Sequence, residues 1–255
     1  MFQNELIDLA AIQLAADYSC NAEDFFGDIN RVTKSRLIEG YRTFLDEPHF
    51  FKMATMGKAV IASVSDEMLP FMTDLFAKFD KSESSTLFDG IQMYVINQKL
   101  ECFNKTAAQT KIYYLPSTPY HYIPKSGYDL RVFDEAEIQT ILYQYKGFNN
   151  ALMYDAKRER HDMVAVCAVN GRNIIGMAGA SNDSERFWQI GIDVIPEYRG
   201  KGLAVELVSA LTKEVFRHGA IPYYGTWGGN IASQNVARKC GYYPAWAELT
   251  AFDLE

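Results

Sequence analysis

No run of 18 apolar residues occurs in the chain, so no membrane-spanning helix is expected. The opening Met1-Phe2-Gln3-Asn4-Glu5 lacks the basic region and apolar run of a secretory signal. Cysteine is scarce: Cys20, Cys102, Cys167 and Cys240 are far apart, and no C-x-x-C pair spells out a zinc site or a redox motif. A chain of 255 residues can bury a core without disulfides. His49, His121, His161 and His218 lack the partner spacing of a metal site or a triad, and no metal is expected. No block of one charge exists either. Up to and including Lys125 there are 12 basic and 16 acidic residues, against 13 and 16 after it, within a net charge of -7. That balance argues against nucleic acid or anionic membrane as the main partner. Together these absences favour a soluble cytoplasmic protein with reduced thiols. There is no repeat of 20 to 50 residues and no long low-complexity tract.

What is present is an ordinary globular composition. Hydrophobic residues make up 48%, charged residues 22% and aromatics 14%, so intrinsic disorder is not expected and core area is not limiting. Leu6, Leu9, Ala10 and Leu14 fall near helical spacing. Residues 20 to 48 carry no clear period. Phe51 to Met56 and Ala59 to Val64 read as strands around a turn at Gly57-Lys58. Ser65 reads as a helix N-cap with Met68 at N3, and Met68, Met72, Leu75, Phe76 and Phe79 then make one apolar face. Asp80 to Ser85 is a polar loop. Between 86 and 103, Leu87, Ile91, Tyr94 and Val95 suit a helix, while the β-branched residues leave a strand open. Ile112 to Leu115 reads as a strand. Pro116, Pro119 and Pro124 punctuate the connection after that strand and place a domain boundary near Lys125.

The second half has a firmer pattern. Tyr128 to Phe133 is a strand, and Asp134 with Glu137 three residues on starts a helix through a capping box. Ile138, Ile141, Leu142 and Tyr145 form its apolar face. Met163 to Val169 and Ile174 to Ala180 flank the hairpin signal Asn170-Gly171. Phe187 to Ile195 is a strand stopped by Pro196. A helix from about Leu203 to His218 buries Leu203, Leu207, Ala210, Leu211 and Val215. Ile221 to Thr226 is a strand. Asn230 and Gly241 are the N-cap and C′ residues of a short helix, and Tyr243 to Phe252 closes the sheet. The order describes an α/β fold on a mixed sheet.

The richest segment is Val194-Ile195-Pro196-Glu197-Tyr198-Arg199-Gly200-Lys201-Gly202-Leu203-Ala204. It reads as a strand, a sharp turn, two glycines and a helix start. Helix starts leave amides unpaired at the positive end of the peptide dipoles. Glycine removes side chains that would hold an anion away. Arg199 and Lys201 add charge, so the turn suits a pyrophosphate. A P-loop is not spelled out, and the third glycine of G-x-G-x-x-G falls on Val205. The R-x-x-G-x-A pattern at Arg199 to Ala204 resembles the acetyl-coenzyme A signature of the GNAT superfamily of N-acetyltransferases. Asn230-Ile231-Ala232-Ser233 with Lys239-Cys240-Gly241-Tyr242 resembles that superfamily's late N-x-x-S…K-x-G-F element. The resemblance covers roughly residues 126 to 255, and the whole chain is similar to bacterial GNAT proteins with an N-terminal extension.

The resemblance implies a GNAT-like acyltransferase domain over 126–255, preceded by a smaller α/β extension over 1–125. The extension would cap or shape the acceptor site, or form a homodimer surface. By the resemblance, the amides of Arg199, Gly200, Lys201, Gly202, Leu203 and Ala204 bind the pyrophosphate. The strand around Ile192, Asp193 and Val194 pairs with the pantetheine arm, and a splay from the next strand opens the slot. Asn230 and Ser233 lie near the thiol. The tyrosine that many relatives carry as general acid is Ala237 here, which leaves Ser233, Tyr224 or water as donors. An amine of pKa near 10.4 is deprotonated about once in a few thousand molecules at pH 7. A base or water relay therefore helps, and Asp193, Asp183 and Glu185 are its candidates. The serine and asparagine around Asp183 and Glu185 favour plain loop solvation for those two. Trp188, Trp227 and Trp246 read as packing, with the floor of a pocket as the alternative for Trp227. The expected function is transfer of acetyl from acetyl-CoA, as co-substrate, directly to a primary amine of a small molecule or peptide. The alternative is a non-catalytic acyl-CoA sensor or interaction module.

Overall fold

The computed structural model describes residues 2–42, 47–79, 86–119, 126–155 and 160–254. The expected polar loop at Asp80 to Ser85 and the boundary residue Lys125 lie outside the described residues. The chain forms two compact units. The first comprises Met1–Gln3, Tyr114–Gly225 and Asn230–Tyr243; the second comprises Asn4–Tyr113, Thr226–Gly229 and Pro244–Glu255. Each unit is built from segments that are discontinuous in sequence. The C-terminal strand leaves the first unit after Tyr243 because its later residues pair within the second.

The elements in chain order are α1 (Phe2–Tyr18), β1 (Arg31–Lys34), β2 (Phe51–Thr55), β3 (Val60–Val64), α2 (Leu69–Phe76), α3 (Gly90–Glu101), β4 (Lys105–Thr106) and β5 (Lys111–Pro116). After these come β6 (Asp129–Asp134), α4 (Glu135–Thr140), β7 (Asp162–Asn170), β8 (Asn173–Asn182), β9 (Phe187–Val194), α5 (Leu203–Arg217), β10 (Ile221–Trp227), α6 (Ile231–Lys239), β11 (Tyr242–Thr250) and β12 (Phe252–Asp253).

In the first unit, neighbouring strands run β10-β9-β8-β7-β6. The β6/β7, β7/β8 and β8/β9 pairs are antiparallel, and β9/β10 is parallel. The two faces are covered by different helices. Ile138, Leu142, Ala165, Cys167 and Met177 pack in one cluster on the α4 face. On β8, the neighbouring residue Gly176 lies against Leu207 of α5. The period of two puts adjacent residues on opposite faces. The expected capping box forms: Asp134 accepts from the Glu137 amide at 2.9 Å, and Glu137 accepts from the Asp134 amide at 3.0 Å. The helix stops at Thr140, and a single tight turn comes next at Leu142–Gln144. Consequently Ile138 and Leu142 are buried while Ile141 and Tyr145, expected beside them, face solvent. On α5, Val208 is buried and Ala210 is only half-buried, a shift of two positions at the stripe's edge.

The second unit holds strands in the order β1-β3-β2-β11. The 86–103 ambiguity resolves as α3, which buries Ile96 and Leu100 one turn apart and leaves Ile91 and Tyr94 exposed. Helix α2 opens at Leu69 rather than after Ser65, with Pro70 in its first turn, where the missing N–H costs nothing. Charge is also buried here. Arg42 pairs with Asp17, and with Glu248 at 2.7 Å, and the Lys52 ammonium sits 4.6 Å from both the Tyr18 and Tyr41 rings.

Candidate active site

The site begins where two strands part. The parallel rungs of β9 and β10 run Phe187–Ile221, Trp188–Pro222, Gln189–Tyr223 and Ile190–Tyr224, and stop there. Both strands continue, β9 to Val194 and β10 to Trp227. From Gly191 to Val194, β9 is therefore laddered to β8 on one side only. Among the described residues no strand pairs with its other backbone edge, which a ligand with amides of its own could pair.

The turn after β9 supplies the second component. Gly200 and Gly202 have φ of +77° and +84°, and Gly202 caps α5 in the left-handed region. A side chain there would meet nothing within 4 Å, so backbone conformation, and not crowding, demands glycine. Arg199 differs from expectation. Its amide bonds the Pro196 carbonyl at 3.2 Å, so it is not part of an open set. Its guanidinium Nε instead donates to the Val194 carbonyl at 2.7 Å, tying the turn to the strand end. Among the described residues, no hydrogen bond engages the amides of Gly200, Lys201, Gly202, Leu203 or Ala204. Five successive open amides at a helix start are the arrangement that favours an anion on physical grounds, a candidate cradle. The Lys201 ammonium lies 3.4 Å from the Glu197 carbonyl and 5.6 Å from the Tyr198 ring centre, beside that cradle.

On the α5 face, Asn230 caps α6 by accepting from the Ser233 amide at 3.0 Å. The Ser233 hydroxyl lies 2.7 Å from the Tyr224 hydroxyl of β10. Burial pushes the Tyr224 phenol above its usual range, while the bond to Ser233 pulls the other way. Ala237, in the position of the absent tyrosine, is fully buried. Two of the three candidate catalytic side chains are thus adjacent.

Asp193 is on the opposite face. Its carboxylate accepts from the Asn150 amide at 2.8 Å, the Asn150 side chain at 2.6 Å and the Ala151 amide at 3.1 Å. It fastens the 148–152 turn onto β9. Gly191 permits this contact, because a Cβ there would overlap the Asn150 carbonyl. Asp183 overturns the expectation of loop solvation: it has no exposed surface, pairs with Arg160, and accepts from the Tyr223 hydroxyl. Glu185 is exposed, as a loop residue should be. Trp188 and Trp246 are buried in packing; Trp227 is partly exposed. Sequence reasoning missed the Arg160–Asp183–Tyr223 cluster. The available signal was the strand period, which sends Tyr223 and Tyr224 to opposite faces.

In this mixed α/β sheet the parallel pair parts just before a turn whose amides are open. Residues 129–242, a little under half of the chain, match the model of the acetyltransferase (GNAT) family. Solved structures with similarity include a GCN5-related N-acetyltransferase from Kribbella flavida, at 17% identity and TM-score 0.46, over 62% of this chain and 63% of that one. A GCN5-related N-acetyltransferase-like protein from Streptococcus suis aligns at 16% identity and TM-score 0.44, over 62% and 67%. A GNAT-family acetyltransferase from Colwellia psychrerythraea aligns at 14% identity and TM-score 0.45, over 86% and 84%. No curated protein matches the chain.

Proposed function

We propose that this protein transfers the acetyl group of acetyl-CoA directly to a primary amine of a small molecule or peptide. The observation that carries this reading is the run of five open amides from Gly200 to Ala204, directly after a strand with a free edge. The cradle fits a diphosphate, and the edge of Ile192 to Val194 fits the amides of a pantetheine arm. Asn230 holds the start of α6 so that Ser233 meets Tyr224.

Acetyl-CoA supplies an activated acetyl as its thioester. In the transfer, a carbon–nitrogen bond forms to the acceptor, the carbon–sulfur bond breaks, and the thiolate takes a proton. Tyr224 is the proton donor, with Ser233 as its hydrogen-bonded partner, which replaces the role lost at Ala237. Burial keeps that phenol protonated through the neutral range. The amine loses its own proton to water. Asp193 does not serve as the base, because three hydrogen bonds already engage its carboxylate.

Calorimetry with acetyl-CoA, and then thiol release over a panel of amines, tests the reading. Micromolar binding and amine-dependent thiol release are expected. Gly202→Val forces an L side chain into the left-handed region, at about 1–2 kcal/mol or more, and should abolish binding while leaving a cooperative melt. No binding by the natural chain at millimolar ligand overturns the assignment. Binding without turnover on any amine would favour the sensor.

A further inference from the structure

The Arg160–Asp183–Tyr223 cluster lies outside the cradle and the Tyr224–Ser233 pair, and its place in the sheet is specific. Tyr223 pairs with Gln189 in the penultimate rung before β9 and β10 part. The same two residues meet through their side chains, with the Tyr223 hydroxyl 3.4 Å from Gln189 Oε1. Arg160 donates to Gln189 Oε1 at 3.0 Å and pairs with Asp183. Asp183, just past the end of β8, accepts from Tyr223 and lies 3.3 Å from the Ser181 hydroxyl. The cluster therefore joins the end of β8, β9, β10 and the residue leading into β7 at one level of the sheet.

Burying a charged pair is a poor route to stability, since well-packed apolar side chains of similar volume commonly do as well or better. What hydrogen-bonded charge does supply is a fixed geometry. Parallel strands that continue side by side would ordinarily go on pairing, because unpaired backbone groups are costly when buried. A tie one rung ahead of the split holds the strands in register up to that point and fixes where the opening starts.

We propose that Tyr223, Asp183, Arg160 and Gln189 form a vertex lock that sets the position and width of the β9/β10 slot, and that Tyr223 and Asp183 are positioning residues for the coenzyme's pantetheine arm. They touch no reacting atom; they act through the free edge of Gly191–Val194. The proposal rests on the coenzyme-binding function proposed for this domain, and it separates two parts of the ligand. The diphosphate contacts the turn at Gly200–Ala204, beyond the reach of the lock. The pantetheine arm lies in the slot that the lock defines.

The experiment compares coenzyme A with 3′-phosphoadenosine 5′-diphosphate, which has the diphosphate but no pantetheine. Titration calorimetry on the full chain and on Tyr223→Phe gives both affinities, and amide hydrogen exchange reports on 191–194. The expected result is a loss of about tenfold or more in coenzyme A affinity, with nucleotide affinity within about twofold of the natural chain and faster exchange at 191–194. Gln189→Leu removes one of the cluster's two acceptors without touching the buried Asp183, and should show the same selective loss if Tyr223→Phe fails to fold. Equal effects on both ligands, or no effect on either, overturn the lock. If the natural chain binds neither ligand, the coenzyme reading falls first and the lock with it. If it binds both with equal affinity, the cradle survives and the lock does not.

Discussion

Three acidic or phenolic side chains show how much a residue's role depends on its neighbours. Asp183 sits among Ser181, Asn182 and Ser184, a composition that reads as a solvated turn, yet it is fully buried against Arg160 and Tyr223. Asp193 sits on the strand beside the slot, yet its oxygens hold the 148–152 turn. Tyr224 finds its partner in a hydroxyl nine residues later, on α6. At this scale the test is Tyr224→Phe, which removes the phenolic proton and keeps the ring. Its kcat should fall by about 10²-fold, the usual contribution of a positioned acid, while coenzyme affinity stays within about twofold. Steady-state kinetics with calorimetry check this; an unchanged kcat removes Tyr224 from the reaction.

Among elements, those with local punctuation were legible from the sequence. The Asp134–Glu137 capping box, the Asn170-Gly171 hairpin, Pro196 after β9 and Asn230 before α6 all mark real boundaries, because each acts on backbone groups within a few residues. Faces and ends set by distant packing were not. Ile91 and Tyr94 have helical spacing but point outward on α3, and the chain after Thr140 tightens so that Ile141 faces solvent. The 148–152 turn is a further case: it has no period of its own and is held by Asp193, about 40 residues away in sequence. Asp193→Asn keeps the shape but turns an amide nitrogen toward groups that already donate. Losing charge-assisted hydrogen bonds should lower stability by about 1–3 kcal/mol, seen as a lower urea midpoint with an unchanged slope. An unchanged midpoint would mean the turn does not depend on this carboxylate.

For the molecule as a whole, the second unit completes itself with the far end of the chain. β11 pairs antiparallel with β2, from Ala247 opposite Thr55 to Thr250 opposite Lys52. Leu249 joins the core around Met53, Met68 and Met72, and Glu248 partners Arg42. A fragment of residues 1–125 lacks β11, Leu249 and Glu248. Removing one partner of a buried ion pair costs about 3–5 kcal/mol, comparable with much of a domain's net stability. The fragment should therefore show no cooperative thermal transition by circular dichroism. A sharp melt in the isolated fragment would show that β11 is dispensable to it.

By itself, the sequence determined the strand and helix order after residue 128, the glycine turn at Gly200 and Gly202, and the caps of α4 and α6. All of these rest on forces acting within one turn or one hairpin. Only the tertiary structure decided that Arg199's amide is engaged, that Asp183 is buried, that Tyr224 reaches Ser233, and that β9 and β10 separate after Ile190 and Tyr224. Those outcomes depend on which groups from distant parts of the chain arrive beside one another, and no local spacing encodes that.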